Sequence, residues 1–114
     1  MDRKKKPKSP FSWPFSSRRQ LWIADADRLI SEAADLIDDP AIPPYLPNQS
    51  ARYRRAARLY EKSAVFYARA GLGVMAQASW QDAAETYVIL ADEHNTRRCE
   101  GMAASIETYW EEEE

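Results

Sequence analysis

The sequence contains few of the residues that most often carry out chemistry: its 114 residues include one cysteine, one histidine and three glycines. Because Cys99 is alone, the chain can form no internal disulfide, and no secretory signal sequence is recognisable, which favours a reducing compartment. We therefore expect a cytoplasmic protein, or a nuclear one in a eukaryotic source. No stretch approaches the ~20 uncharged residues that would span a bilayer.

Groups that could act in catalysis are also scarce. His94 and Cys99 are five residues apart, about 140° around a continuous helix, so their side chains would not converge. Gly71 and Gly73 lack the preceding strand and the lysine of a phosphate-binding loop. The sequence therefore predicts no enzymatic activity, no catalytic residue, no cofactor and no metal site.

The composition nevertheless indicates a folded domain. Apolar residues make up 45% of the chain, too many for a wholly disordered protein. We predict one helical domain over residues 18–110, after a basic aromatic tail over residues 1–17, which is disordered or ordered by a partner, and before an acidic end over 111–114. A proline-rich connection over residues 38–50 should be stiff and extended.

The net charge of −2 hides a division along the chain. Residues 1–19 hold seven basic residues and one acidic residue, a net charge of +6. The remainder holds nine basic and seventeen acidic residues, a net charge of −8. This asymmetry is typical of an arm that meets a different partner from the body, or that folds back on an acidic surface.

Helical periodicity places a first helix from about Arg18 to Ile37. Ser17 and Gln20 have the spacing of a capping box, in which the hydroxyl and the amide each satisfy a backbone N–H group. The apolar stripe of this helix comprises Trp22, Ala26, Leu29, Ala33 and Leu36. A second helix should run from Ala51 to Ala70, capped by Ser50, with two adjoining apolar stripes that imply burial on two sides.

Gly71 is placed for a left-handed cap at the end of the second helix. A third helix should then run from Val74 to about Glu93, and Asn95 or Thr96 could cap a fourth helix through Trp110. The fourth helix would bury Cys99, Met102, Ala103, Ile106 and Tyr109. Because no proline separates the third and fourth helices, one bent helix is the alternative.

Residues 60–83 resemble one tetratricopeptide repeat, and are also similar to the longer helical repeats of SNAP-type proteins. Aromatic and small residues stand at the six matching positions: Tyr60, Ala64, Tyr67, Ala76, Trp80 and Ala83. The family's closing proline is replaced here by Val88. The resemblance implies an all-α fold of three to four antiparallel helices, a TPR-like helical hairpin bundle, and a small adaptor or accessory subunit that binds a larger protein.

A single repeat is too short to form the groove of a multi-repeat protein, so the binding residues should lie elsewhere. The tail mixes cations with aromatic residues and is the first candidate surface. Its candidate residues are Lys4, Lys5, Lys6, Lys8, Phe11, Trp13, Phe15, Arg18 and Arg19. Such a segment could dock in a groove of a partner protein, track nucleic-acid phosphates or lie on an anionic membrane, or it could simply solubilise the chain.

The second candidate surface is a basic face on the second helix. It comprises Arg54, Arg55, Arg58, Lys62 and Arg69. These five cations exceed what solubility requires, although a solvated helix face is the simplest interpretation. The first hypothesis is a non-catalytic protein–protein interaction module. A nucleic-acid-binding accessory subunit is the alternative, and peripheral membrane attachment is the weaker third.

Overall fold

The computed structural model describes the backbone of residues 12–17 and all atoms of residues 18–38 and 49–106. These described residues form four α-helices and no strand. The helices are α1 (Ser12–Ile37), α2 (Ser50–Arg69), α3 (Gly73–Ile89) and α4 (Glu93–Ser105). The all-α prediction is therefore confirmed for these residues. Each helix packs mainly against its neighbours along the chain. Within the same residues, no helix combines the length and the apolar character needed to cross a membrane.

Helix α1 ends at Ile37 as predicted, but it begins at Ser12 and not near Arg18. The capping-box prediction at Ser17 is therefore wrong, because Ser17 lies inside the helix. The reason is the position of Pro14, which falls in the first turn of α1. The N–H groups of a first turn have no partner within the helix, so a proline costs nothing there. The proline-rich connection lies mostly outside the described residues, which resume at Gln49.

Helices α1 and α2 are antiparallel and are tied together at both ends. Near the start of α1, Arg19 Nε donates a hydrogen bond of 2.7 Å to the carbonyl of Ala70, which follows the last turn of α2. At the opposite end, Tyr53 Oη in the first turn of α2 donates to the carbonyl of Ile37 at 3.4 Å. Both bonds satisfy carbonyl groups that a helix end leaves without an internal partner.

The turn between α2 and α3 follows the prediction for Gly71, whose φ is 81°. The N–H of Gly71 donates to Ala68 O at 3.0 Å, and the N–H of Leu72 donates to Tyr67 O at 2.9 Å. These two bonds are the pair that defines a Schellman motif, in which a left-handed residue closes the helix. The predicted cap of α2 is wrong, however: Ser50 is the first helical residue, and Gln49 occupies the cap position.

The turn between α3 and α4 repeats this geometry 20 residues later. The N–H of Ala91 donates to Val88 O at 2.9 Å, and the N–H of Asp92 donates to Tyr87 O at 3.0 Å. Here the left-handed residue is Ala91, with φ of 57°. Helices α3 and α4 are therefore separate, and the alternative of one bent helix is wrong.

Exchanging the two left-handed residues should change stability in opposite directions. Gly71→Ala should lower the free energy of unfolding by about 1–2 kcal/mol, because the added Cβ meets a carbonyl oxygen in this conformation. Ala91→Gly should raise it by about 1 kcal/mol for the same reason, less the entropy that glycine adds to the unfolded chain. Urea unfolding followed by circular dichroism measures both. Equal losses in the two variants would contradict this account.

Asp92 caps α4, three residues before Asn95 and four before Thr96, the two predicted cap positions. Its side chain accepts from the backbone N–H of Asn95 at 3.1 Å and from Asn95 Nδ2 at 2.8 Å. Thr96 is buried in the first turn of α4 and donates from its hydroxyl to Asp92 O at 2.9 Å.

The core is built largely from alanine. Among the described side chains, ten of the seventeen buried apolar residues are Ala26, Ala33, Ala56, Ala57, Ala64, Ala70, Ala76, Ala83, Ala84 and Ala103. Trp80 and Tyr60 fill the space between them in a cluster to which all four helices contribute. Because alanine lets helix backbones approach closely, the few large side chains provide most of the apolar area that folding buries.

Helix α4 departs from its predicted apolar stripe. Cys99 and Ala103 are buried, and Ile106 packs against the core at its edge, as predicted. The prediction that Met102 is buried is wrong, because its side chain is exposed. Tyr109 and Trp110 lie outside the described residues. On α3, Gln77 Nε2 donates to Ala103 O at 2.9 Å and holds the end of α4.

Candidate interaction surfaces

The structure places the tail residues in two groups. Lys4, Lys5, Lys6, Lys8 and Phe11 lie outside the described residues, so their role stays a prediction. The backbone of Trp13 and Phe15 belongs to the first turns of α1, and Arg18 is exposed on the same helix. Arg19 instead holds the end of α2 through Ala70. This bond gives Arg19 a structural role that the sequence did not suggest.

The basic face of α2 is divided between structural and free cations. Arg54 is half-buried and forms an ion pair with Asp92, with Nη1 and Oδ2 2.8 Å apart. Arg54 thus joins α2 to the cap of α4, and its role in partner binding stays a prediction. Arg55 lies beside the acidic residues Glu32 and Asp35 of α1, in a shallow depression between the two helices.

The remaining three cations share one exposed side of α2. Arg58, Lys62 and Arg69 are separated by four and seven residues, which places them along one line of a helix. Within the described part of the chain, Arg55, Arg58 and Lys62 make no ion pair. Unpaired cations at a surface are available to an external anionic group at little desolvation cost.

Two of these cations border an open groove between α1 and α2, which we call the basic groove. Its lining residues are Arg28, Leu29, Lys62, Val65, Phe66 and Arg69. Val65 is 39% exposed in its floor. The Arg69 guanidinium lies 5.6 Å from the centre of the Phe66 ring, a cation–π contact that orients the charge over the groove. Arg28 pairs with Glu32 at 2.9 Å. The groove thus combines an apolar floor with a cationic rim.

A second open groove lies between α3 and α4, and we call it the acidic groove. Its lining residues include Glu85, Val88, Ala91, Glu93, Arg97 and Glu100. Val88 is 60% exposed and the adjacent Ile89 is 51% exposed. Glu93 pairs with Arg97 at 3.4 Å, whereas Glu85 and Glu100 have no cationic partner among the described residues. The groove therefore carries unpaired negative charge beside exposed apolar carbon.

This second groove was not predicted from the sequence. The relevant residues are Val74, Met75, Val88 and Ile89, and their apolar character alone favours burial. A helix that is apolar around most of its circumference is expected to be buried on several sides. In the structure these four side chains are among the exposed large apolar residues. They leave α3 with an apolar surface that the described residues do not cover.

A polar network stabilises the helices behind the grooves. Glu61 Oε2 on α2 accepts from Tyr87 Oη on α3 at 2.6 Å and from Arg98 Nη2 on α4 at 2.8 Å. Tyr67 Oη on α2 similarly donates to Asp27 Oδ1 on α1. Glu61 therefore joins three helices.

The network shifts the acid–base behaviour of its members. Burial, then the hydrogen bond to Glu61, raises the pKa of Tyr87 to about 12. Burial, then the hydrogen bond to Asp27, raises the pKa of Tyr67 further. The Arg54 guanidinium, then the Asn95 side chain, lowers the pKa of Asp92 to about 2. Because of these shifts, the two tyrosines stay protonated and can donate at neutral pH, and Asp92 stays ionised and can accept.

Stability should fall at alkaline pH because of these tyrosines. A tyrosine whose folded-state pKa is raised stabilises the fold fully below its unfolded-state pKa, about 10. That contribution is lost as pH rises through the folded-state pKa, which for Tyr87 is about 12. The urea concentration at the midpoint of unfolding should therefore decrease between pH 10 and pH 12, over the range in which tyrosinate absorbance increases. Tyr87→Phe should flatten the decrease, and a constant midpoint in the wild type would contradict the assignment.

The single thiol and the single imidazole do not form a reactive pair. Cys99 is buried, and burial, then the nearby Glu61 carboxylate, raises the pKa of its thiol to about 11. A thiol in that state is neutral at physiological pH and is a poor nucleophile. His94 is exposed in the first turn of the same helix. Within residues 12–38 and 49–106, no three metal-ligating side chains come together.

Comparisons with known proteins give no further assignment. A scan against protein-family models, a search of curated proteins and a search of solved structures each found no match to this chain.

Proposed function

We propose that this chain is a non-catalytic protein–protein interaction module, a small TPR-like adaptor or accessory subunit that docks on a larger protein through its basic groove. The observation that carries the proposal is the composition of that groove. Exposed Val65 and the neighbouring Leu29 and Phe66 form an apolar floor, and the cations of Lys62 and Arg69 stand at its rim. The complementary ligand is an acidic segment of a partner protein that presents an apolar anchor.

The TPR-like part of the proposal draws support from burial and from turn geometry. The six positions of the resemblance are all buried, with Tyr60 the most exposed of them at 7%. The same left-handed turn joins α2 to α3 and α3 to α4, with the second turn at Ala91. Regular turns between helices of similar spacing are the structural basis of helical repeat arrays.

Binding should depend on both parts of the groove. Lys62→Glu and Val65→Asp should each abolish capture of the partner, because one reverses the rim charge and the other places a carboxylate on the apolar floor. Each variant and the wild type would be immobilised, and bound proteins from the native host would be identified by mass spectrometry. Arg97→Glu is the matched control for Lys62→Glu, since Arg97 is a largely exposed cation on α4 and both substitutions change the net charge by the same amount.

The result that would overturn this proposal is capture of the same proteins by the wild type, Lys62→Glu and Val65→Asp. Loss of capture in Arg97→Glu as well would indicate a general charge effect and would also count against the groove. Circular dichroism melting of each variant separates a binding defect from unfolding.

A nucleic-acid-binding accessory subunit is the second candidate function. The observation that favours it is the set of unpaired cations on α2, Arg55, Arg58 and Lys62, which could contact successive phosphates. Three phosphate contacts would reduce affinity about 40-fold between 50 mM and 200 mM salt. Fluorescence anisotropy with single-stranded RNA and duplex DNA tests this. The two candidates differ at Val65, because Val65→Asp should weaken protein capture far more than a phosphate-dependent interaction.

A further inference from the structure

The acidic groove has a surface chemistry that the proposed function does not use. Its exposed apolar residue Val88 lines the groove together with Glu85 and Glu100, which have no cationic partner among the described residues. An exposed apolar residue bordered by unpaired carboxylates suits a ligand that combines cations with an apolar side chain. The groove lies on α3 and α4, whereas the basic groove lies on α1 and α2.

The same chain carries a segment of this chemistry. Residues 1–11 contain five cations and one acidic residue, and they end in Phe11 immediately before α1. The five cations are Arg3, Lys4, Lys5, Lys6 and Lys8. We propose that the acidic groove of one copy of this chain binds residues 1–11 of a second copy.

The positions of the helix ends favour a second copy over the chain's own tail. Ser12 lies seven residues before Arg19, which contacts the end of α2 next to the start of α3. Val88 lies fifteen residues into α3, so it is about 33 Å from Ser12 along the helix axes at 1.5 Å per residue. Phe11 directly precedes Ser12, and consecutive Cα atoms are only about 3.8 Å apart. Phe11 therefore cannot contact Val88 of its own chain, and this contact requires a second copy.

In this arrangement each copy offers one basic segment and one acidic groove. Two copies can exchange segments reciprocally, which closes a symmetric dimer, because the same pair of contacts forms twice. Contact of the Phe11 ring with Val88 would set the position of the segment along the groove of the other copy. The lysines would then lie beside Glu85 and Glu100. Association through such charges weakens as salt rises.

Charge exchange tests the proposal in the full-length chain. The wild type should associate reversibly in sedimentation velocity between about 5 and 200 μM, and the association should weaken at least tenfold when salt is raised from about 50 to 300 mM. Two variants with reversed charge should each weaken the wild-type association about tenfold or more. The groove variant is Glu85→Lys with Glu100→Lys, and the tail variant is Lys4→Glu, Lys5→Glu and Lys6→Glu.

Two further measurements identify the pair of surfaces. An equimolar mixture of the groove variant and the tail variant should associate more tightly than either variant alone. The basic tail of the groove variant meets the unchanged groove of the tail variant, and the two reversed surfaces also carry opposite charges. One chain carrying both sets of substitutions should associate as well. The control Glu32→Lys with Asp35→Lys changes net charge on α1 by the same amount as the groove variant and should leave association intact.

A wild type that remains monomeric across this concentration range overturns the proposal. Continued association of the groove variant also overturns it, as does failure of the doubly reversed chain to associate. Circular dichroism spectra confirm that each variant is folded, which is expected because Glu85 and Glu100 are exposed. The groove variant and the tail variant leave the basic groove unchanged, so partner capture through Lys62 and Val65 is tested separately.

Discussion

Replacing Trp80 with alanine should lower the free energy of unfolding by about 3–5 kcal/mol, the largest effect we expect from a single substitution. Trp80 is 5% exposed and belongs to the cluster that joins all four helices. Most other members of that cluster are alanines, which have no side-chain rotamers that could fill the space. A large cavity should therefore remain, and the cavity adds to the loss of apolar burial.

Thermal unfolding followed by circular dichroism measures this loss. For a domain of this size, 3–5 kcal/mol corresponds to a decrease in Tm of roughly 15–30 °C. The matched control is Trp22→Ala, because Trp22 is half-buried on α1 and belongs to neither described core cluster. Its loss should be less than half as large. Similar decreases in Tm for the two tryptophans would contradict the assignment of Trp80 as the centre of the core.

Replacing Glu61 with alanine should lower the free energy of unfolding by about 2–3 kcal/mol. The side chain of Glu61 is 18% exposed, and one of its oxygens accepts from both Tyr87 and Arg98. Removing the carboxylate leaves a half-buried hydroxyl and a guanidinium without their partner. The cost of those unpaired donors exceeds the modest value of a surface ion pair.

The appropriate control for Glu61 is Glu85→Ala, which removes an exposed carboxylate on α3. Glu85→Ala should stay within about 0.5 kcal/mol of the wild type. Urea unfolding of Glu61→Ala, Tyr87→Phe and the double variant gives the coupling between the two residues. A coupling energy near zero would show that the hydrogen bond at 2.6 Å contributes nothing to the packing of α2 on α3.

The second helix and the turn after it could be predicted well because their determinants are local. The alanine and tyrosine spacing fixes the inner side of α2, and Gly71 supplies the left-handed residue that the turn requires. The next turn has the same geometry, but Ala91 occupies the left-handed position. No glycine marks this second turn in the sequence. The end of α3 and the cap of α4 are therefore both predicted too far along the chain.

The candidate surfaces were harder to predict, since they depend on partners distant in sequence. Arg54 and Asp92 are 38 residues apart, and Glu61 and Arg98 are 37 apart. Periodicity places each residue on a side of its own helix but does not say which neighbour faces it. The basic face predicted from the sequence therefore includes Arg54 without its ion-pair partner. The sequence also did not indicate that Val88 would be exposed beside unpaired carboxylates.

The alanine-rich core has a consequence for how this sequence can vary. In many domains the large core residues are the least replaceable, and small residues accept enlargement. Here Ala56, Ala64 and Ala83 are fully buried where helices meet, so a larger side chain at any of them would have to push two helices apart. In a saturation mutagenesis library, these alanines should be among the positions least tolerant of substitution, while the larger Val88 and Ile89 accept polar residues.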